Sequence, residues 1–290
     1  MKTQTKKVTI ETVQSIILKY FPQLWLPVEA CLSALATLLI KGNNSPTALI
    51  LVGHTLVART TVSKFFKNIN GMWEKSTKDN LNPLFISVPR TISNSRDFVS
   101  KVNICSQVIE EYVTQLFRDK QGTINWQDSP FDSHVEEEIF FYAKLLVRLR
   151  GIIPDGQKDA FIEDPEKTMA LLHNIAKGRA IIHGRSHLSM DDIPMIREIV
   201  FSSCPEDRRH VMRELFCDWP TIELARRDVK SILKVDDEKA LKFIKDLENL
   251  KLISKNPDGE DCEFCPHEDF QNRSKCISDV SEYYDLKSLV

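Results

Sequence analysis

The apolar run Ala48-Leu49-Ile50-Leu51-Val52, ended by Gly53, constrains the fold more than any other feature of this chain. Five consecutive apolar residues bounded by turn formers read as a strand buried on both faces of a parallel sheet. Asn43-Asn44-Ser45-Pro46 breaks the chain before it, and Thr60 to Phe66 reads as the helix that leaves the glycine turn. A parallel sheet needs further apolar strands. After one more short run at Leu84 to Val88 the pattern turns helical, at Phe98 to Phe117 and Val135 to Arg150. The expected fold is therefore mainly α with small β.

A chain of 290 residues can bury a real core in two or three domains. Its 42% hydrophobic and 28% charged residues are ordinary for a globular protein. A net charge of −2 excludes a global pull toward nucleic acid, so DNA binding would need a local patch. The most apolar stretch, Leu24 to Ile40, contains Pro27 and Glu29 and is only 17 residues long, so it reads as a buried helix rather than a membrane span, with no membrane partner expected. The polar start MKTQTKKVTIETVQ has no continuous apolar region of the secretory kind, and an odd set of seven cysteines fits reduced thiols; a cytoplasmic location is expected.

From Gly53 the spacing follows GxxxxGK[ST], in which backbone N–H groups wrap phosphates, a lysine reaches the terminal phosphates and a hydroxyl holds Mg²⁺. Gly53 and Thr60 keep their places, with Thr61 beside them, while Ala58 and Arg59 replace the second glycine and the lysine. Alanine resists positive φ, and a planar guanidinium is bulkier than an ammonium, so both changes work against a tightly wrapped triphosphate. The same residues also fit a strand and turn with no ligand. Glu110-Glu111 and Glu136-Glu137-Glu138 fall on helical patterns as solvated faces, leaving no acidic strand end to hold Mg²⁺.

Two helices are expected near the start, Ile10 to Tyr20 and Pro27 to Ile40. Further on, Asp164-Pro165 opens a helix whose apolar stripe Met169, Leu172, Ile175, Ala176 and Ile182 runs to Gly184, a C-cap. Ser189-Met190-Asp191-Asp192 is a variant capping box opening the next helix, through Ile193, Ile196, Ile199 and Val200. Cys204-Pro205 ends it and starts a third. Residues 221–256 then read as a winged helix: a helix ending near Leu233, a second carrying Ala240, Phe243, Ile244 and Leu247, a strand at Leu252-Ile253 and a wing turn at Asn256-Pro257-Asp258-Gly259.

The stretch DPEKTMALLHNIAKGRAIIHGRSHLSMDDIPMIREIV resembles the helical lid of AAA+ ATPases of the MoxR and minichromosome-maintenance type. Gly184, Arg185, Leu188, Ser189, Asp191, Asp192 and Ile193 match its GR-x-x-[hydrophobic]-[ST]-x-[DE]-D-[IV] signature. The chain is also similar to a group of uncharacterised prokaryotic ATPases with a helical pair, a P-loop, such a lid and a C-terminal winged helix in that order. Phe21-Pro22, Leu24-Trp25, Phe98-Val99-Ser100 and Leu146 to Gly151 carry that likeness. The resemblance breaks after about Val102, where the family carries its acidic and sensor strands. It implies ATP and Mg²⁺ as ligands, AAA+ subunits as homo- or hetero-oligomeric partners, and a sensor arginine whose place falls on Lys167. With Ala58, Arg59 and Lys167 all altered, little or no hydrolysis is expected.

In a DNA-binding winged helix the first turn of the recognition helix meets bases and phosphates. Here it is Asp236-Asp237-Glu238, which would face phosphates with like charge. Arg226, Arg227 and Lys230 before it and Lys239, Lys242 and Lys245 after leave room for a backbone-directed surface, but a protein-interaction or packing role is expected ahead of sequence-specific DNA binding. Acidic residues there also simply complement the helix dipole. Cys262, Cys265, His267 and Cys276 have the ligand types of a tetrahedral Zn²⁺ site, the alternative being reduced thiols in a polar tail. His173, His183, His187 and His210 read as surface or capping residues. The expected organisation is a truncated P-loop-like region at 1–120, a helical lid domain at 121–203, a winged helix at 204–256 and a cysteine-containing tail at 257–290. The leading functional expectation is a degenerate AAA+-like nucleotide-binding regulator. The alternatives are a DNA-associated transcription regulator and an interaction module that modulates an ATPase partner.

Overall fold

The computed structural model describes residues 7–43, 47, 49–52, 56–69, 84–88, 97–120, 124–127, 133–154, 159–215, 225–255, 264–267 and 270. The described chain is mainly helical with little strand. It forms two compact units, one of residues 1–136, 171–199 and 287–290, the other of 137–170 and 200–286. These units cut across the four consecutive segments expected from sequence: residues 171–199 of the expected lid cluster with the N-terminal half of the chain.

The first unit is built around a helix buried on every side. Helix α1 (Ile10–Tyr20) has the bounds read from sequence; Thr9 caps it, its hydroxyl accepting the Thr12 N–H at 3.4 Å. A short 3₁₀ turn leads into α2 (Trp25–Ala36), which starts two residues earlier than expected and tightens to 3₁₀ geometry over Thr37–Leu39. The span Pro22–Leu39 is long and apolar enough to cross a membrane, yet 78% of it is buried inside the fold, which identifies it as a core element. Phe21 anchors the core, its ring centroid 5.5 Å from that of Phe65 and 5.7 Å from that of Phe98.

Strand β1 (Leu49–Val52) pairs in parallel with β2 (Leu84–Ser87), Leu49 opposite Leu84. Between them in sequence lies α3 (Leu56–Phe65), and after them α4 (Phe98–Asp119), which packs on α1 and α3 and buries Val102, Cys105 and Ile109. β2 buries Leu84 and Ile86, but every β1 residue is partly exposed, Ile50 at 43%. The expectation of a strand buried on both faces is thus corrected: with one partner strand among the described residues, the pair cannot cover both faces.

Helix α5 (Ser133–Arg150) leads into the second unit, and α6 (Pro165–Ile182) returns to the first. Asp164 opens α6 as expected, accepting the Glu166 N–H at 2.9 Å. Helix α7 (Ile193–Ser202) follows a 3₁₀ turn at Met190–Asp192, and α8 (Glu206–Arg213), α9 (Arg226–Leu233) and α10 (Asp237–Asn249) follow in turn. The last elements are β3 (Ile253–Lys255) and β4 (Phe264–Pro266), an antiparallel pair in which Ser254 faces Cys265. Within the second unit arginines close helix ends. Arg208 donates to the carbonyls of Leu149 and Gly151, both at 2.7 Å, and Arg150 Nε to that of Ser203 at 2.8 Å. The wing turn expected at 256–259 lies outside the described residues.

Candidate functional site

Three regions bear on function: α3, the turn between α6 and α7, and the α9–α10 pair. The segment expected to wrap phosphate is largely helical. β1 ends at Val52 and α3 begins at Leu56, four residues before the expected start at Thr60. Ala58, Arg59, Thr60 and Thr61 are all helical; Gly53 lies outside the described residues. Thr61 is buried in the core, and the buried Nε of Arg59 has no hydrogen-bond partner among the described residues. The reason is local. Position 58 is alanine rather than glycine, and Leu56-Val57-Ala58-Arg59 carries no helix breaker, so the helix extends back toward the strand. Lys167 is exposed in the first turn of α6, in the second unit, whereas α3 belongs to the first.

The lid-like signature has a dense structural role within the first unit. Gly184 takes φ of +72° and ends α6 in a Schellman arrangement, the Arg185 N–H reaching the Ala180 carbonyl at 2.8 Å and the Gly184 N–H that of Ile181 at 3.0 Å. The Ser189 N–H then donates to Asp192 Oδ2 at 2.9 Å, as the capping-box pattern requires. Arg185 grips the same carboxylate with both nitrogens, at 2.9 and 2.6 Å, and donates to Ser189 Oγ at 2.8 Å. Asp192 Oδ1 also accepts from Arg179 at 3.0 Å, and the other side of Arg179 pairs with Glu29 of α2 at 3.0 Å. His183 Nε2 lies 2.8 Å from Glu29 Oε1.

Two carboxylates and two guanidiniums therefore balance, with Glu29 and Asp192 fully buried, Arg179 3% exposed and Arg185 at the edge of the core at 20%. Sequence reasoning missed Arg179 and gave Glu29 no partner. The available signal was a carboxylate in an otherwise apolar helix, which must find a cation when buried. His183 joins this network, and His173 lies 3.7 Å from Glu136. Immediately before Arg179, Gly178 lies so close to α2 that a Cβ there would collide with the Ser33 carbonyl.

In the second unit α9 and α10 are joined by a short turn in which Lys234 adopts φ of +54°, the left-handed conformation that usually calls for glycine. The sequence-marked basic residues divide into two groups. Lys230 and Arg226 approach Asp237 at 3.0 and 3.8 Å, Arg227 approaches Asp228 at 3.8 Å, and Lys239 pairs with Asp236 at 3.0 Å. Asp236 caps α10, accepting the Lys239 N–H at 2.9 Å, and this hydrogen bond, with the Lys239 side chain, holds its carboxyl below the usual range. Lys242 and Lys245 are exposed and have neither ion pair nor hydrogen bond among the described residues.

Of the proposed zinc ligands, Cys265 lies on β4 and His267 just beyond it, while Cys262 and Cys276 lie outside the described residues. Cys265 Sγ sits 3.5 Å from Ser254 Oγ across the hairpin. Among the described residues no three histidine, cysteine or acidic side chains gather as a metal site. Cys31, Cys105, Cys204 and Cys265 are free thiols, and burial pushes Cys31, Cys105 and Cys204 up to about 12, so these three are not activated nucleophiles. Comparison of the chain with family models, with curated proteins and with solved structures finds no match in any of the three.

Proposed function

We propose that this chain is a non-hydrolysing regulatory relative of AAA+ ATPases that acts by joining and modulating competent ATPase subunits rather than by turning over nucleotide. The observation that carries this reading is the course of α3, which occupies with helix the positions where a phosphate loop would have to open. The use of Arg185, Ser189 and Asp192 as core structure supports it, since a segment tied to α2 by buried ion pairs resists the nucleotide-driven movement of a lid. ATP and Mg²⁺ at Gly53, Arg59 and Thr60, and Zn²⁺ at the tail, are not required. Calorimetric titration with a non-hydrolysable ATP analogue and Mg²⁺ tests the proposal. No saturable binding is expected at millimolar ligand. Saturable binding abolished by Thr60→Ala would overturn it and restore the nucleotide-sensing alternative.

A second reading, a DNA-associated regulator, is favoured by one specific feature. Helices α8, α9 and α10 followed by an antiparallel hairpin have the element order of a winged helix, with the left-handed Lys234 in the turn between its second and third helices. Both readings are compatible in one molecule, because they use different regions.

A further inference from the structure

We infer that this chain binds duplex DNA through the phosphate backbone without reading base sequence, and that Lys242 and Lys245 on α10 carry the contact. The inference rests on the DNA-associated reading and specifies its ligand. In helix–turn–helix recognition the first turn of the second helix meets base edges. In α10 that turn is Asp236, Asp237 and Glu238, and the first two are already engaged, Asp236 in capping and in a pair with Lys239, Asp237 with Lys230 and Arg226. These exposed pairs offset part of that acidic charge, and Glu238 adds a further carboxylate, so the end of the helix that would read sequence presents acids rather than donors.

One turn further along, Lys242 and Lys245 are exposed and without a partner among the described residues. They are three residues apart, about 4.5 Å along the helix axis, a spacing short enough to serve neighbouring phosphates of a duplex. Lys234 in the turn and Lys255 at the end of β3 are exposed as well. Residues 225–255 hold nine basic and six acidic side chains in a chain of net charge −2; α10 itself holds three lysines and four acids, and the basic excess comes from α9 and the segments flanking α10. An ammonium is a point charge that meets a phosphate from many directions, whereas base readout favours planar bidentate groups.

The test is fluorescence anisotropy of the full chain with two labelled duplexes of equal length and unrelated sequence, at rising salt, beside a labelled polyglutamate peptide. Equal binding of both duplexes is expected, its logarithm falling linearly with that of the salt concentration. Lys242→Glu with Lys245→Glu should weaken both by roughly tenfold or more and flatten the salt slope by about two, with an unchanged melting temperature. The Lys242→Gln and Lys245→Gln pair should give a smaller loss in the same direction. Preference for one duplex would overturn the inference while leaving the DNA-associated reading standing. Binding of neither duplex would overturn both, and tighter binding of polyglutamate than of the duplexes would replace DNA with an acidic protein partner.

Discussion

The carboxylates around Asp192 and those around Asp237 both meet cationic side chains, and the surroundings give the pairs opposite meanings. Around Asp192 the central pairs are almost wholly removed from solvent, with Arg179 3% and Glu29 1% exposed, while Arg185 at 20% closes the outer side. Around Asp237 the partners are open, with Lys230 at 45% and Asp237 itself at 59%. In the first setting a charge left without its partner has no water to turn to, so the network is part of the architecture of the first unit. In the second, water and salt compete at every moment, and the pairs contribute little to folding. What they do instead is offset part of the acidic charge at the start of α10.

The strongest way to break this contrast is Asp192→Ala, which would leave the buried Arg179 with Glu29 as its remaining carboxylate and take from the partly exposed Arg185 its two-pronged partner. A loss of about 3–5 kcal/mol is expected in urea unfolding, and a loss below 1 kcal/mol would show that water reaches the network. Next comes Gly178→Ala, which would drive a methyl group into the Ser33 carbonyl of α2. It should cost about 1–3 kcal/mol, read by thermal melting, and a neutral outcome would mean that α2 and α6 can separate. Lys230→Ala, at the exposed pair, should change stability by no more than about 1 kcal/mol. Strong salt should leave the Asp192 network in place while erasing even that small difference.

The smallest effect concerns pH. Because the Asp236 carboxyl titrates below its usual range in the folded chain, its capping contribution is present above the unfolded pKa and is lost as pH falls through the lowered folded value. Nuclear magnetic resonance titration of the Lys239 amide should show that loss, and Asp236→Asn should remove the pH dependence while keeping a cap. An unshifted titration midpoint at Asp236 would mean that the Lys239 hydrogen bond does not persist in solution.

The parts of this fold that were legible in advance are those governed by neighbours in sequence. Helix α1 begins and ends where its apolar spacing and Thr9 indicate, and Gly184 and the Ser189-to-Asp192 turn act as their residue types require. The stretch after Gly53 misled because motif spacing was read as a loop, whereas the absence of glycine at 58 permits helix from Leu56. Arg179 and Gly178 could not be assigned for a different reason: each is explained by a residue on α2 more than a hundred positions earlier.

Short-range energetics, meaning apolar periodicity, caps and the conformational limits of glycine and proline, let the sequence alone determine that this chain is mainly helical and where many of its helices start and stop. Only the tertiary structure decided that Glu29 lies against Arg179, that β1 stays partly exposed, and that residues 171–199 cluster with the N-terminal half of the chain rather than with their neighbours. Those outcomes depend on which distant surfaces exclude water from one another. Burial at one position sets the cost of a charge at another, and no local pattern carries that information.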